Sequence, residues 1–363
     1  EHITGLRYYG LRNCKKYHTE FPLYAPQMNP PAPGMTVKET SKIENVNRDK
    51  LDPVRDHIAS CVIGQQRLVD GMLVCLLSDG HLLVEGLPGL AKTTAVKALS
   101  EAIEGDFHRV QFTPDLLPSD LVGTDIYRHE KGAFEFRPGP LFHNILLADE
   151  INRAPAKVQS ALLEAMAERQ VTVGQTSYPL PDVFMVLGTQ NPIEQEGTYH
   201  LPEAQLDRFL MQVRAEHPSH DEELQILELD NNRQKVSQQP PDTLLSQSDL
   251  LAMRAAAAEL YLDPKLHRYI VDLVQATRNP GAYSDELARW IRYGASPRAS
   301  ISLARCARSL AWMRGDTYVS PEHIQQVAPE ILRHRLLLTF EAEAEGISTD
   351  DFIQRLLELV AIP

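Results

Sequence analysis

The chain has 363 residues, 43% of them hydrophobic and 23% charged, ordinary values for a globular protein and enough for two domains. That composition excludes a disordered chain and a fibrous coiled coil, and no apolar run approaches the length of a membrane span. A net charge of −13 opposes general binding to a phosphate backbone, so nucleic acid is not an expected partner.

The first 34 residues differ from the rest. They hold five prolines, and Arg7, Arg12, Lys15 and Lys16 outnumber Glu1 and Glu20. No apolar core follows the basic residues, so a secretory signal is not expected. Residues 1–40 read as a dispensable or disordered tail, or alternatively as a docking arm for a partner. The four cysteines, Cys14, Cys61, Cys75 and Cys306, are scattered without CxxC spacing. They fit buried thiols in a reducing compartment, the cytoplasm, and not a disulfide framework or zinc ribbon.

From about Asn45 the pattern is that of an α/β domain, expected over 41–215. Short apolar runs bounded by turn residues predict buried parallel strands at His81–Glu85, Arg109–Phe112, Asn144–Asp149, Val183–Thr189 and Phe209–Val213. Helical spacing in Thr93–Ile103 and Ala156–Arg169 places helices between them, which predicts a doubly wound parallel sheet. Strand signals stop near Ala215. Asp221–Leu229 reads as a helix, and Asn231–Thr243 as a polar linker with a Pro pair. Leu245–Tyr261, Pro264–Arg278, Ser284–Tyr293, Pro297–Arg314 and Pro321–Arg335 follow with 3.6-residue periodicity, so residues 216–363 are expected to be an all-helical second domain.

Gly86-Leu87-Pro88-Gly89-Leu90-Ala91-Lys92-Thr93-Thr94 follows an apolar strand and opens a helix, the context a phosphate loop needs. Glycines let backbone N–H groups turn toward an anion, Lys92 neutralises the outer phosphates, and the Thr93 hydroxyl can bind Mg²⁺. The spacing is that of GxxxxGK(S/T), with Ala91 in place of the second glycine. Ile145–Ala148 then ends in Asp149-Glu150. Beside a phosphate site, such a pair can hold the metal (Asp149) and align a water for in-line attack (Glu150). Asn191, at the tip of a further strand, could touch the γ-phosphate or that water, although Asn-Pro alone is a turn signal. Arg208 and Arg298 read either as surface and ion-pair residues or as the extra charge that hydrolysis needs.

At this point the residues resemble the MoxR-type AAA+ ATPases, in the clade with an insert in the second helix. The resemblance runs from about Lys42 to the C-terminus. It rests on Ile63-Gly64-Gln65, GLPGLAKT at Gly86–Thr93, QFTPDLLPSDLVG at Gln111–Gly123, and GPLFHNILLADEINRAPAKVQSALLEAMAE at Gly139–Glu168. It continues through GTQNPIEQEGTYHLPEAQLDRF at Gly188–Phe209 and GASPRA at Gly294–Ala299. The resemblance implies an AAA+ core with a helical lid, with ATP and Mg²⁺ as ligands. Lys92 and Thr93 would be the Walker A pair, Asp149 and Glu150 the Walker B pair, and Asn191 sensor 1. Arg298 would be sensor 2, Arg208 an arginine finger acting in trans in a homo-hexamer, and Ile63-Gly64-Gln65 would pack beside adenine. Asp120–Pro138 would be the helix-2 insert and Val171–Pro181 the hairpin before sensor 1. The family also implies a partner with a von Willebrand factor A domain and an unidentified protein client that is remodelled, matured or loaded with metal. Two other readings fit the same motifs. One is the ATPase subunit of a magnesium-chelatase-like machine, and the other a nucleotide-dependent scaffold or DNA-remodelling ring.

Overall fold

A computed structural model describes residues 48–87, 89–130, 132–191, 199, 201–233 and 243–363. The 1–40 tail, Pro88 and positions 234–242 of the expected linker lie outside the described residues.

Helices α1 (Leu51–Cys61) and α2 (Gln66–Leu77) lead into strand β1 (Leu82–Glu85). Helix α3 (Lys92–Ala102), strand β2 (Phe107–Gln111), helix α4 (Pro118–Val122) and the hairpin β3 (Gly123–Arg128) and β4 (Ala133–Pro138) follow. Strand β5 (Ile145–Asp149), helix α5 (Ala156–Glu168) and the hairpin β6 (Gln170–Val173) and β7 (Thr176–Pro179) come next. Strand β8 (Met185–Gln190), helix α6 (Glu203–Leu206) and strand β9 (Met211–Arg214) complete the α/β part.

Five of these strands form one parallel sheet in the order β2-β5-β8-β1-β9. Each predicted strand is present, with ends shifted by one or two residues. Where both faces are covered, as in β1 and β5, the strands carry apolar residues at nearly every position, while edge strand β2 is only partly buried. Strand β5 shows this: Ile145 and Leu147 join one hydrophobic cluster while Leu146 and Ala148 join the other, following the two-residue repeat of a strand. The loops at the carboxyl ends of β1, β5 and β8 therefore meet at the middle of the sheet, where ligands bind in such folds.

The two hairpins project from this sheet, at positions close to the expected insert and pre-sensor segments. Each turns on a glycine with positive φ, Gly132 (59°) and Gly174 (61°). The rings of Phe136 and Tyr178 stack at 4.1 Å and tie one hairpin to the other.

The remaining helices are α7 (His220–Arg233), α8 (Gln247–Glu259), α9 (Pro264–Arg278), α10 (Asp285–Trp290), α11 (Pro297–Arg314), α12 (Pro321–Leu332), α13 (Phe340–Ala344) and α14 (Thr349–Leu359). Their starts are locally encoded. Asp263, Ser296 and Ser348 each accept a bond from a first-turn N–H, and Pro264 and Pro297 sit where an N–H would be unpaired anyway. This half is not wholly helical. The helix expected over Ser284–Tyr293 stops at Trp290, whose carbonyl accepts from the Thr339 N–H, and β10 (Ile291–Tyr293) pairs antiparallel with β11 (Leu337–Leu338). Likewise α12 ends at Leu332 and tightens into a 3₁₀ turn, Arg333–Arg335, whose side chains point into the α/β part.

One hydrophobic cluster runs through both halves. It includes Met72 and Cys75 of α2, Leu147 of β5, Leu187 of β8, Cys306 and Leu310 of α11 and Ile324 of α12. The described residues accordingly belong to one compact unit.

Candidate active site

The loop between β1 and α3 wraps a cleft of about 400 Å³. Gly89 has φ +87° and Ala91 has φ +54°, so the backbone turns twice through the left-handed region before α3 begins at Lys92. Nothing lies within 4 Å of a Cβ built on Gly89, so its backbone conformation is what calls for glycine there. The first N–H groups of α3 then face the cleft and can receive an anion. The Lys92 ammonium donates to the Gly86 carbonyl at 2.5 Å. Burial lowers its pKa, opposed by the negative charges of Asp149, Glu150 and Glu85. A desolvated cation beside acids is a strong site for phosphate oxygens.

Across the cleft stand the carboxylates of β5. Asp149 Oδ1 accepts from the Thr189 hydroxyl at 2.5 Å, and the same hydroxyl oxygen accepts from the Glu150 N–H at 2.9 Å. Asp149 Oδ2 takes Nε and Nη2 of Arg109, at 3.2 and 2.6 Å. Glu150 is held in the left-handed region at φ 56°, which turns its carboxylate away from the strand direction. Its Oε2 accepts from Gln111 at 2.9 Å and from Arg153 at 2.8 Å. Asn191 lines the cleft with these groups.

The cleft thus unites most of the expected site: Gly89, Leu90, Ala91, Lys92, Thr93, Thr94, Asp149, Glu150 and Asn191. Gly86 contributes through its carbonyl and through its N–H, which donates to Gln190. Three residues of the site, Arg109, Gln111 and Thr189, escaped the sequence reading. The first two share one face of β2, and the parallel register sets Gln111 beside Asp149. Polar residues two apart at the end of a strand whose register sets them beside Asp149 are the available signal.

The other expected residues lie elsewhere. Gln65 donates its amide to the Glu216 carbonyl at 2.7 Å, and a Cβ on Gly64 would meet the Glu222 carboxylate at 3.0 Å. Gly64 and Gln65 therefore pack on the segment after β9, and Ile63-Gly64-Gln65 is not among the residues lining the phosphate-loop cleft. Arg298, expected to bind nucleotide, also lies outside the cleft of its own chain. Its N–H caps against Ser296 at the start of α11, and its guanidinium reaches Asp207 at 3.5 Å. Arg208, adjacent to Asp207, donates to the Leu163 carbonyl at 3.1 Å. Arg298 thus reaches the aspartate that precedes Arg208 in the chain.

Asp207 is held from below. Its Oδ1 accepts from Arg335 Nε at 2.7 Å and its Oδ2 from the Ser296 hydroxyl at 2.8 Å. Arg335 is 8% exposed and also donates to the carbonyls of Phe209 and Ile331. Burial lowers its pKa and Asp207 raises it, so the pair is a desolvated ion pair.

Two family models match the chain: the ATPase family associated with various cellular activities (AAA) over residues 81–211, and an AAA lid domain over residues 287–356. The chain is 48% identical over 303 residues to Chaperone MoxR1 of Mycobacterium tuberculosis, spanning 83% of this chain and 79% of that protein. It is 31% identical over 332 residues to Protein MoxR of Methylorubrum extorquens, spanning 87% and 96% respectively. A solved structure of a candidate ATPase from Cytophaga hutchinsonii matches with a TM-score of 0.83 and 46% identity, over 91% of this chain and 100% of that one.

Proposed function

The chain belongs to the MoxR family of AAA+ ATPases, and from that premise we propose that its chaperone-like ATP hydrolysis is Mg²⁺-dependent and drives the remodelling of partner proteins. The observation that carries the reading is the cleft in which Lys92 and the helix N-terminus face Asp149 and Glu150. In this reading the loop N–H groups and Lys92 hold the β- and γ-phosphates. Glu150 aligns and polarises the attacking water, taking its proton as the new P–O bond forms and the bond from the γ-phosphorus to the β,γ-bridging oxygen breaks, leaving ADP and phosphate. Asn191 positions the water or the γ-phosphate. Asp149 and Thr93 both present hard oxygen donors to the cleft, a set that fits Mg²⁺. When bound, that ion would supply the neutralising charge between the phosphate oxygens.

Arg208 and Arg298 meet no phosphate site of their own chain. We therefore assign both to the cleft of a neighbouring subunit in a homo-hexamer, with Asp207 holding Arg298 near the segment that carries Arg208. A partner carrying a von Willebrand factor A domain, a client that is matured or loaded with metal, and a cytoplasmic setting complete the proposal. The division into an ATP-binding core over 41–215 and a lid over 216–363 belongs to it too.

Glu150→Gln is expected to keep ATP binding, measured by calorimetry, while turnover falls about 10²–10⁴-fold. Undiminished turnover would remove Glu150 from this role. Arg208→Ala is expected to lose about 10³-fold in turnover. Mixing it with Glu150→Gln should restore activity, since some interfaces then pair an intact arginine edge with an intact cleft. Mixed samples as inactive as their components would refute action in trans. Affinity purification of the Glu150→Gln protein with ATP would then identify the proteins it holds.

A further inference from the structure

A second cleft, of about 630 Å³, opens between the end of α2, helix α8 and helix α11. Ser78 and Asp79 precede β1 and Asp182 precedes β8, so this cleft lies at the amino ends of the strands, opposite the phosphate loop. Its volume is that of a small-molecule site.

Arginine dominates its lining. Arg254 of α8 is the inner one, with a side chain only 10% exposed, bonded through Nε to the Leu76 carbonyl at 2.8 Å and through Nη1 to Asp79 at 2.5 Å. Asp79 is shared with Arg169 at 2.6 Å, so one carboxylate answers two guanidiniums. Arg305 and Arg308 stand one turn apart on α11. Arg308 spends only Nε, on the Leu260 carbonyl at 3.1 Å, and Arg305 forms no ion pair among the described residues. Three lining guanidiniums, Arg254, Arg305 and Arg308, therefore face two carboxylates, Asp79 and Asp182, and Asp79 is already shared with Arg169, in a chain whose net charge is −13. Ser78 and Ser309, joined hydroxyl to hydroxyl at 2.8 Å, supply polar groups in the floor. Burial lowers the pKa of both Arg254 and Arg308, the cost of holding cations there without a full set of counter-charges.

We propose that this cleft binds a small oxyanion of the phosphate class carrying two or more negative charges, with Arg305 and Arg308 as its principal donors. The planar forks of two guanidiniums one helical turn apart suit bidentate contacts to phosphate oxygens, and a cationic ligand is excluded by the same charges. The site is separate from the ATP cleft and does not depend on how that cleft is read.

The test uses the full chain carrying Lys92→Ala, so that the phosphate loop does not take up the probe, and inorganic pyrophosphate as the probe. A saturable rise in melting temperature of about 2–5 °C is expected. Arg305→Gln and Arg308→Gln, placed separately on that background, should each reduce the rise by more than half. Arg305 is exposed and unpaired, so its variant should melt at the parent temperature without probe. Arg305→Lys should recover part of the shift. No saturable shift in the Lys92→Ala chain, a shift unchanged in both glutamine variants, or an equal shift from sodium chloride at matched ionic strength would each overturn the proposal.

Discussion

Two residues of the phosphate site hold backbones that side chains disfavour: Ala91 at φ +54° and Glu150 at φ +56°. Holding an L-residue there costs about 1–2 kcal/mol, while a glycine adds about 0.5–1 kcal/mol of chain entropy to be lost on folding. Ala91→Gly should therefore leave stability unchanged or raise it by about 0.5 kcal/mol, with nucleotide binding retained. Ala91→Val should cost a further 1–2 kcal/mol, roughly, and abolish binding, because a branched Cβ cannot hold the turn that aims the N–H groups. Urea unfolding together with nucleotide titration checks both; a valine variant that binds like the parent would show that the turn is not needed. At this scale the motif residues were legible because they are contiguous in the chain. Arg109 and Gln111 were not, since their meaning depends on which carboxylates the strand register sets beside them.

Among the elements, the 3₁₀ turn Arg333–Arg335 has the most consequence for the site. Arg333 donates to Asp350 and to the Gln212 carbonyl, and Arg335 to Asp207 and to Phe209, so the turn fastens the end of α12 to β9 and to the segment carrying Arg208. Arg335→Met would take the main donor from a largely buried carboxylate and one donor each from four carbonyls. A loss of about 3–5 kcal/mol in unfolding free energy is expected, measured by denaturant, with turnover falling because Arg208 loses its support. A loss below about 1 kcal/mol would mean that the arginine is dispensable. Helix starts such as Pro264 and Pro297 could be read from their caps. The turn, and the β10–β11 pair that interrupts the helical half, could not, because both are created by contacts with residues far away in the chain.

For the molecule as a whole, buried neutral histidines set the response to acid. His81 joins β1 to its surroundings, its Nε2 facing the Met166 carbonyl and its Nδ1 accepting from the Val186 N–H. Burial lowers its pKa from 6.5 to about 4, with the Arg169 charge adding to the shift. His334, bonded to the Phe209 carbonyl, is likewise lowered well below 6.5 by burial. Below pH 6.5 the unfolded chain takes up protons that the folded one refuses. Stability is therefore fully present above pH 6.5 and is lost as the pH falls toward 4, by about 3 kcal/mol for His81 alone. Urea midpoints between pH 7.5 and 4.5 should decline through this window; a flat profile would mean that the histidines are protonated in place.

The single core that unites both halves also has a consequence in time. Cys75 of α2 and Cys306 of α11 are both buried in that core; burial raises the Cys75 pKa and the nearby Cys306 adds to the shift. At a synthesis rate of about 5–20 residues per second, the partner of α2 leaves the ribosome on the order of 10–50 s after α2 itself. Through that interval the apolar face of α2 that α11 later covers lacks its partner. Co-expression with a factor that shields nascent chains is therefore expected to raise the yield of folded protein.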